Sequence, residues 1–192
     1  IRDMLIFAKG ETRLAECLEA NSFFESIKQA AEPILEKSNV ECSWANNVNE
    51  MNIMCNKETL VGACLNLINN SIESVVHHAS GDKAAKLKLQ VTLSAKGSDH
   101  IQLLVKDNGP GISSNIRQKV FEPFYTTKAQ GTGLGLSVVQ AVVKAHQGEF
   151  SIRSSKKGVS AFVQLPVYNS AIKSAHQRDN GVQNSIHSEG QE

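Results

Sequence analysis

A chain of 192 residues with 41% hydrophobic content can bury one core of ordinary size and leave a tail or linker over. Its net charge of +1 lacks the electrostatic footprint of a nucleic-acid or membrane-surface partner, so neither is expected. No run approaches the roughly 18 to 20 consecutive apolar residues of a membrane span, and the four cysteines Cys17, Cys42, Cys55 and Cys64 never form a C-x-x-C pair, which favours scattered buried thiols in a reducing cytoplasm over a metal or redox role.

Ile1-Arg2-Asp3 has neither a starting Met nor the layout of a signal peptide, and reads as a cut through a longer chain. Residues 1–9 read as the last turns of a helix stopped by Gly10. Its apolar Met4, Leu5 and Ala8 have no partner nearby in sequence, as in a helix severed from a bundle. A second helix is predicted from Ser22, where Ser22-x-x-Glu25 has capping-box spacing, to Ser38, with a bend or early end at Pro33. Residues 40–45 and 51–55 are short strand candidates around the Asn-rich turn 46–49.

A long helix follows over 56–76, with Leu60, Cys64, Leu67, Ile68, Ile72 and Val75 as its apolar face. Strands over 87–95 and 101–106 form a hairpin through Lys96-Gly97-Ser98-Asp99. A short helix is expected over 114–120, then irregular chain over 122–132. The last helix covers 134–146, with Gly148 as its stop, and strands over 149–154 and 159–165 close the domain. From Tyr168 onward large apolar residues almost vanish, which predicts disorder.

Three separated segments carry chemistry. In Asn66-Leu67-Ile68-Asn69-Asn70-Ser71-Ile72-Glu73, residues 66, 70 and 73 share one helical face. Asn costs roughly 0.5 to 0.7 kcal/mol against Ala in a helix, so three of them together call for a compensating role. Either they form a solvated polar stripe, or Asn70 offers a carbonyl oxygen to Mg²⁺, which takes one or two protein oxygens and fills its octahedron from phosphates and water. Asp107-Asn108-Gly109-Pro110-Gly111 is a plain turn, or a strand-end carboxylate that accepts from the adenine amine while Gly109 and Gly111 let the backbone approach a flat base. Gly131-Thr132-Gly133-Leu134-Gly135-Leu136 opens a helix, where backbone N–H groups can cradle phosphates. It fits neither the G-x-G-x-x-G fingerprint nor a Walker A loop.

In this order the segments resemble the N, G1 and G2 boxes of the histidine kinase catalytic domain, and Phe121-Glu122-Pro123-Phe124-Tyr125-Thr126-Thr127-Lys128 resembles its F box. The resemblance covers residues 20–166 and places the chain in the Bergerat-type ATPase superfamily. It implies an α/β fold, a two-layer sandwich with a mixed sheet covered by helices on one face, and ATP held between helices and a mobile lid. It divides the chain into the end of a dimerisation helix with its linker (1–19), a catalytic ATP-binding domain (20–167) and a tail (168–192).

Carried over by position, Asn70 resembles the Mg²⁺ ligand, Asn66 the Asn one turn earlier, and Asp107 the adenine reader, with Gly109, Gly111 and Ile112 beside it. Thr127, Lys128, Gly131, Thr132, Gly133, Leu134, Gly135 and Leu136 fall where the family meets phosphates, and Ser160 where a family Thr helps bind adenine. Asn66, Asn70 and Lys128 are the catalytic candidates. Hydrolysing relatives keep a Glu at the position of Asn66, and an amide has no useful basicity, so ATP should be held for a better nucleophile. In the family it resembles, that nucleophile is a histidine of the dimerisation domain; here none of His77, His78, His100, His146, His176 or His187 is followed by the acceptor pattern, and His146 looks like the family's helix-ending residue. The string Met4-Leu5-Ile6-Phe7-Ala8-Lys9 is reminiscent of NtrB-like flagellar sensor kinases (FlrB/FleS type). Implied with it are a homodimeric full protein, a monomeric isolated domain, an NtrC-type response regulator and flagellar gene regulation.

Overall fold

The structure, a computed structural model, describes residues 16–38, 40–79, 88–128 and 131–169, the side chains of 77–79 excepted. The expected helix over 1–9 and the tail beyond 169 lie outside the described residues. In chain order the elements are β1 (Glu16–Glu19), α1 (Ala20–Ser38), β2 (Glu41–Asn47), β3 (Asn52–Cys55), α2 (Lys57–Ala79), β4 (Lys88–Lys96), β5 (His100–Asp107), a single 3₁₀ turn (Lys119–Phe121), α3 (Gly135–Ala145), β6 (Glu149–Ser155) and β7 (Gly158–Pro166). Five strands form one mixed sheet in the order β2-β4-β5-β7-β6, with β2 parallel to β4 and every other pair antiparallel. β1 and β3 pair separately as an antiparallel ribbon.

Strict alternation sorts the sheet residues onto two faces. Leu89, Val91 and Leu93 of β4, Ile101, Leu103 and Val105 of β5, and Ala161, Val163 and Leu165 of β7 are all buried, and the register sets Val91 opposite Val105 and Val105 opposite Ala161. Leu60, Cys64 and Ile68 of α2, Val138 and Val142 of α3, and Phe23 and Ile27 of α1 cover that face. The other face carries Gln90, Thr92, Gln102, Lys106 and Gln164, with Arg153 lying 5.2 Å over the Phe162 ring. One apolar face and one wet face suits a mostly antiparallel sheet covered by helices on one side.

The elements depart from expectation at several points. Helix α1 begins at Ala20, whose N–H donates to the Met51 carbonyl at 2.8 Å, while Ser22 lies within the helix and its carbonyl accepts from Ser26. The capping box is therefore not used: β1, which was not foreseen, feeds straight into the helix and buries Phe23 and Phe24 early. Pro33 does not end α1. The carbonyl it leaves unpaired belongs to exposed Gln29, where water can bond it, and buried Phe23, Ile27 and Ala31 hold the opposite side. Residues 114–118 are turns leading to the 3₁₀ segment instead of a helix. Cys17 is exposed, against the expectation of buried thiols. At the other end, the Tyr168 N–H reaches the Asn52 carbonyl at 2.6 Å, tying that residue to the folded unit.

Candidate nucleotide site

Helix α2 starts on Asn56, whose Oδ1 accepts the Thr59 N–H at 3.1 Å. From there the spacing buries Leu67, Ile68 and Ile72 and turns Asn66, Asn69, Asn70 and Glu73 the other way. Helix α3 runs back beside it. A Cβ at Gly135, the first residue of α3, would lie only 3.3 Å from Asn70 Nδ2, so glycine lets this helix terminus close on Asn70. The N–H groups of the first turn of α3 have no acceptor within the helix and present partial positive charge there.

Between these helices lies a cavity of about 490 Å³, roofed by Tyr125, Thr126, Thr127 and Lys128 and by Gly131, Thr132 and Gly133, with Leu136 and Val120 in its wall. Phe124 holds a left-handed φ of 68° and is 68% exposed, an uncommon state for a bulky side chain. A Cβ on Gly133 (φ 67°) would fall 2.3 Å from the Phe124 carbonyl carbon, so only glycine lets the two strands of the roof pass. Lys128 is set by its N–H, which donates to Thr126 Oγ1 at 3.0 Å, and by the Gly131 N–H on its carbonyl at 3.2 Å. Its ammonium donates to Asn70 Oδ1 at 3.1 Å and pairs with the Glu73 carboxylate. Asn66 and Asn69 make no hydrogen bond through their amides among the described residues and remain available to a ligand.

Asp107 continues the inward alternation of β5 and is 4% exposed. Its Oδ1 accepts two N–H groups, Gly109 at 2.9 Å and Val159 at 3.1 Å, leaving Oδ2 without a protein donor among the described residues. The glycines around it answer first to the protein. A Cβ on Gly109 would meet Ser74 Oγ of α2 at 2.8 Å, and one on Gly111 (φ 79°) would meet the Ser155 carbonyl at 2.0 Å. Ile112 donates its N–H to Ser154 Oγ at 2.6 Å.

Of the candidates drawn from the sequence, Asn66, Asn70, Thr127, Lys128, Gly131, Thr132, Gly133, Gly135 and Leu136 line one cavity, and Leu134 is buried at the start of α3. Asp107, Gly109, Gly111 and Ile112 sit at the end of β5, outside the cavity lining, with Gly109 packed close to Ser74 of α2. Ser160 is not brought in. Its register partner is Lys106, and its neighbour Ala161 takes the buried face, so alternation turns Ser160 to the face opposite Asp107. Asn69, Tyr125 and Val120 are not among the candidates drawn from the sequence, and Glu73, though placed on the face of Asn66 and Asn70, carries no assigned role there. Glu73 carried a signal in its place three residues after Asn70, whereas the roof residues follow no period that sequence could reveal.

A divalent ion fits this chemistry. Asn70 Oδ1 and the Glu73 carboxylate are hard oxygens already bridged by a cation, the Lys128 ammonium. No group of three or more His, Cys, Asp or Glu side chains that could hold a metal exists among the described residues, so a metal here would rest on the Asn70 amide oxygen and the one carboxylate of Glu73.

Residues 55–169 match the family of histidine kinase-, DNA gyrase B- and HSP90-like ATPases. The sensor protein kinase FleS of Pseudomonas aeruginosa is 39% identical over 178 residues, which cover 92% of this chain and 42% of that protein. In fold, the mycobacterial sensor histidine kinase MprB matches with a TM-score of 0.66 at 24% identity, over 79% of this chain and 97% of that one. Full-length ShkA, determined in complex with AMPPNP, matches with a TM-score of 0.69 at 21% identity, over 88% of this chain and 35% of that one.

Proposed function

Since this chain belongs to the histidine kinase-, DNA gyrase B- and HSP90-like ATPase family, we propose that it is the ATP-binding catalytic domain of a sensor histidine kinase. It passes the γ-phosphoryl group of ATP to a histidine on the dimerisation domain of the whole protein. The observation that carries this reading is the convergence of Asn66, Asn70 and the glycine-opened start of α3 on one cavity roofed by Lys128. Within this reading the catalytic domain spans residues 20–167, with the β1–β3 ribbon and the Tyr168–Asn52 hydrogen bond at its margins.

Asp107 accepts the exocyclic amine of adenine through Oδ2, while Gly109 and Val159 hold Oδ1. The phosphates lie against the first turn of α3, between its free N–H groups and the Lys128 ammonium. Asn70 and Glu73 would hold Mg²⁺, which supplies neutralisation of phosphate charge when bound. Asn66 faces the same space with an amide that cannot take a proton from water, so bound ATP is not spent on hydrolysis. Transfer then depends on alignment with the incoming imidazole more than on covalent chemistry by this domain.

By the same reading the full protein is a cytoplasmically facing homodimer that relays phosphate to an NtrC-type response regulator in flagellar gene control, and the isolated domain is a monomer. The 39% identity to the sensor protein kinase FleS supports the sensor-kinase part of this reading, and the chain spans 42% of that protein. Among the described residues no helix is long and apolar enough to cross a membrane. The reading is tested by titrating Mg·ATP into the chain and then adding the helical dimerisation domain with radiolabelled ATP. Label appearing on a histidine of that domain supports the kinase. Steady phosphate release without it would instead assign a hydrolase.

A further inference from the structure

The charged pair over α2 has a role of its own. Asn70 and Glu73 stand three residues apart, one above the other on the helix, and their oxygens face the same point. That point is filled by the Lys128 ammonium, which donates to Asn70 Oδ1 at 3.1 Å and pairs with Glu73. The lysine side chain is 36% exposed and that of the glutamate 50%, so water competes for both and the pair is easily exchanged. Lys128 is also a roof residue, held by Thr126 and Gly131, and so its contact joins the roof to α2.

We propose that Asn70 Oδ1 and the Glu73 carboxylate form a single cation position, held by Lys128 in the protein without nucleotide and taken over by a divalent metal ion. The proposal deepens the nucleotide reading above and rests on it for the source of the metal. An ammonium 3.1 Å from Asn70 Oδ1 and a metal ion seated on the same oxygen would stand close together with like charge and repel, so one displaces the other. Entry of the metal therefore expels Lys128, which is left beside the phosphates that the same cavity receives. Glu73 keeps the lysine parked beforehand and adds a second hard oxygen, directly or through water, afterwards. The Glu73 carboxylate thus faces a cation at both stages, first the ammonium and then the divalent ion.

The test uses Mn²⁺ alone, without nucleotide, titrated into the whole chain and followed by the electron paramagnetic resonance of the free ion. Wild type should bind it weakly, with Lys128 in the way. Lys128→Ala should bind at least about tenfold more tightly, since the competing charge is gone, and Lys128→Gln should do the same with side-chain length kept. The gain should vanish in Lys128→Ala combined with Glu73→Gln. A gain below tenfold in both single variants, or one that survives removal of the Glu73 charge, overturns the proposal. Failure of the nucleotide reading shows elsewhere, as wild type that takes up no Mg·ATP in a separate titration.

Discussion

His146 Nε2 accepts the backbone N–H of Asn56 at 3.0 Å, binding the end of α3 to the residue that caps α2. The ring is 1% exposed, and its Nδ1 lies 2.7 Å from the Val142 carbonyl. A neutral ring with its proton on Nδ1 satisfies both contacts, donating to the carbonyl and accepting from Asn56. The two helices of the site are thus clamped at opposite ends, here by His146 and Asn56 and at the cavity by Gly135 against Asn70.

Burial holds the His146 pKa below its ordinary 6.5, against the opposing effect of its backbone hydrogen bonds to Val142 and Asn56. Below pH 6.5 the unfolded chain takes up a proton that the folded chain refuses. Stability should therefore be complete above 6.5 and fall as the pH drops from there towards the lowered folded value. Denaturant melts at stepped pH should show this slope in wild type and lose it in His146→Gln. His146→Ala, which opens a cavity and strands the Asn56 N–H, should cost roughly 2 to 4 kcal/mol at neutral pH.

Gln147, not Gly148, takes the left-handed position after α3, with φ 58°. The Gln147 N–H bonds the Lys144 carbonyl and the Gly148 N–H the Val143 carbonyl, the pairing of a Schellman motif. Gln147→Gly should relieve the strain and stabilise the domain by about 0.5 to 1 kcal/mol in urea melts. Gly148→Ala should destabilise it, because its Cβ would sit 2.3 Å from the Gln164 carbonyl.

Asp107→Asn leaves an oxygen for Gly109 and Val159 but presents an amide NH₂ where the carboxylate accepted. ATP affinity should fall about 10- to 100-fold, the worth of one hydrogen bond to a charged group. Isothermal titration checks this, with an unchanged melting midpoint showing that the fold is intact. Equal affinity in the two proteins would remove Asp107 from the base-reading role.

Burial pushes the Cys64 thiol up to about 12, and it is also the main cause of the rise of Cys42 and Cys55 to about 11. Thiolates are the reactive form, so these three should resist a neutral-pH thiol reagent. Exposed Cys17 should label first, and mass spectrometry of the labelled peptides distinguishes it from the rest, which should react only after unfolding.

Sequence alone determined the elements whose signal is local. The period-two runs of β4 and β5, the apolar stripe of α2, the Asn66 to Glu73 polar face and the glycine entry to α3 all read directly from spacing, because each repeats within a turn or a pleat. The resemblance joined them into one site. Tertiary structure decided what depends on partners distant in the chain. β1 acquires its strand form only by pairing with β3, and α1 survives Pro33 because its other side is buried. Ser160 faces away from Asp107 because register with β5 sets its parity, and Gly109 and Gly111 are required by Ser74 and Ser155 before any ligand arrives. The meeting of Lys128 with Asn70 and Glu73 spans more than fifty residues, a loop closure that no local period announces.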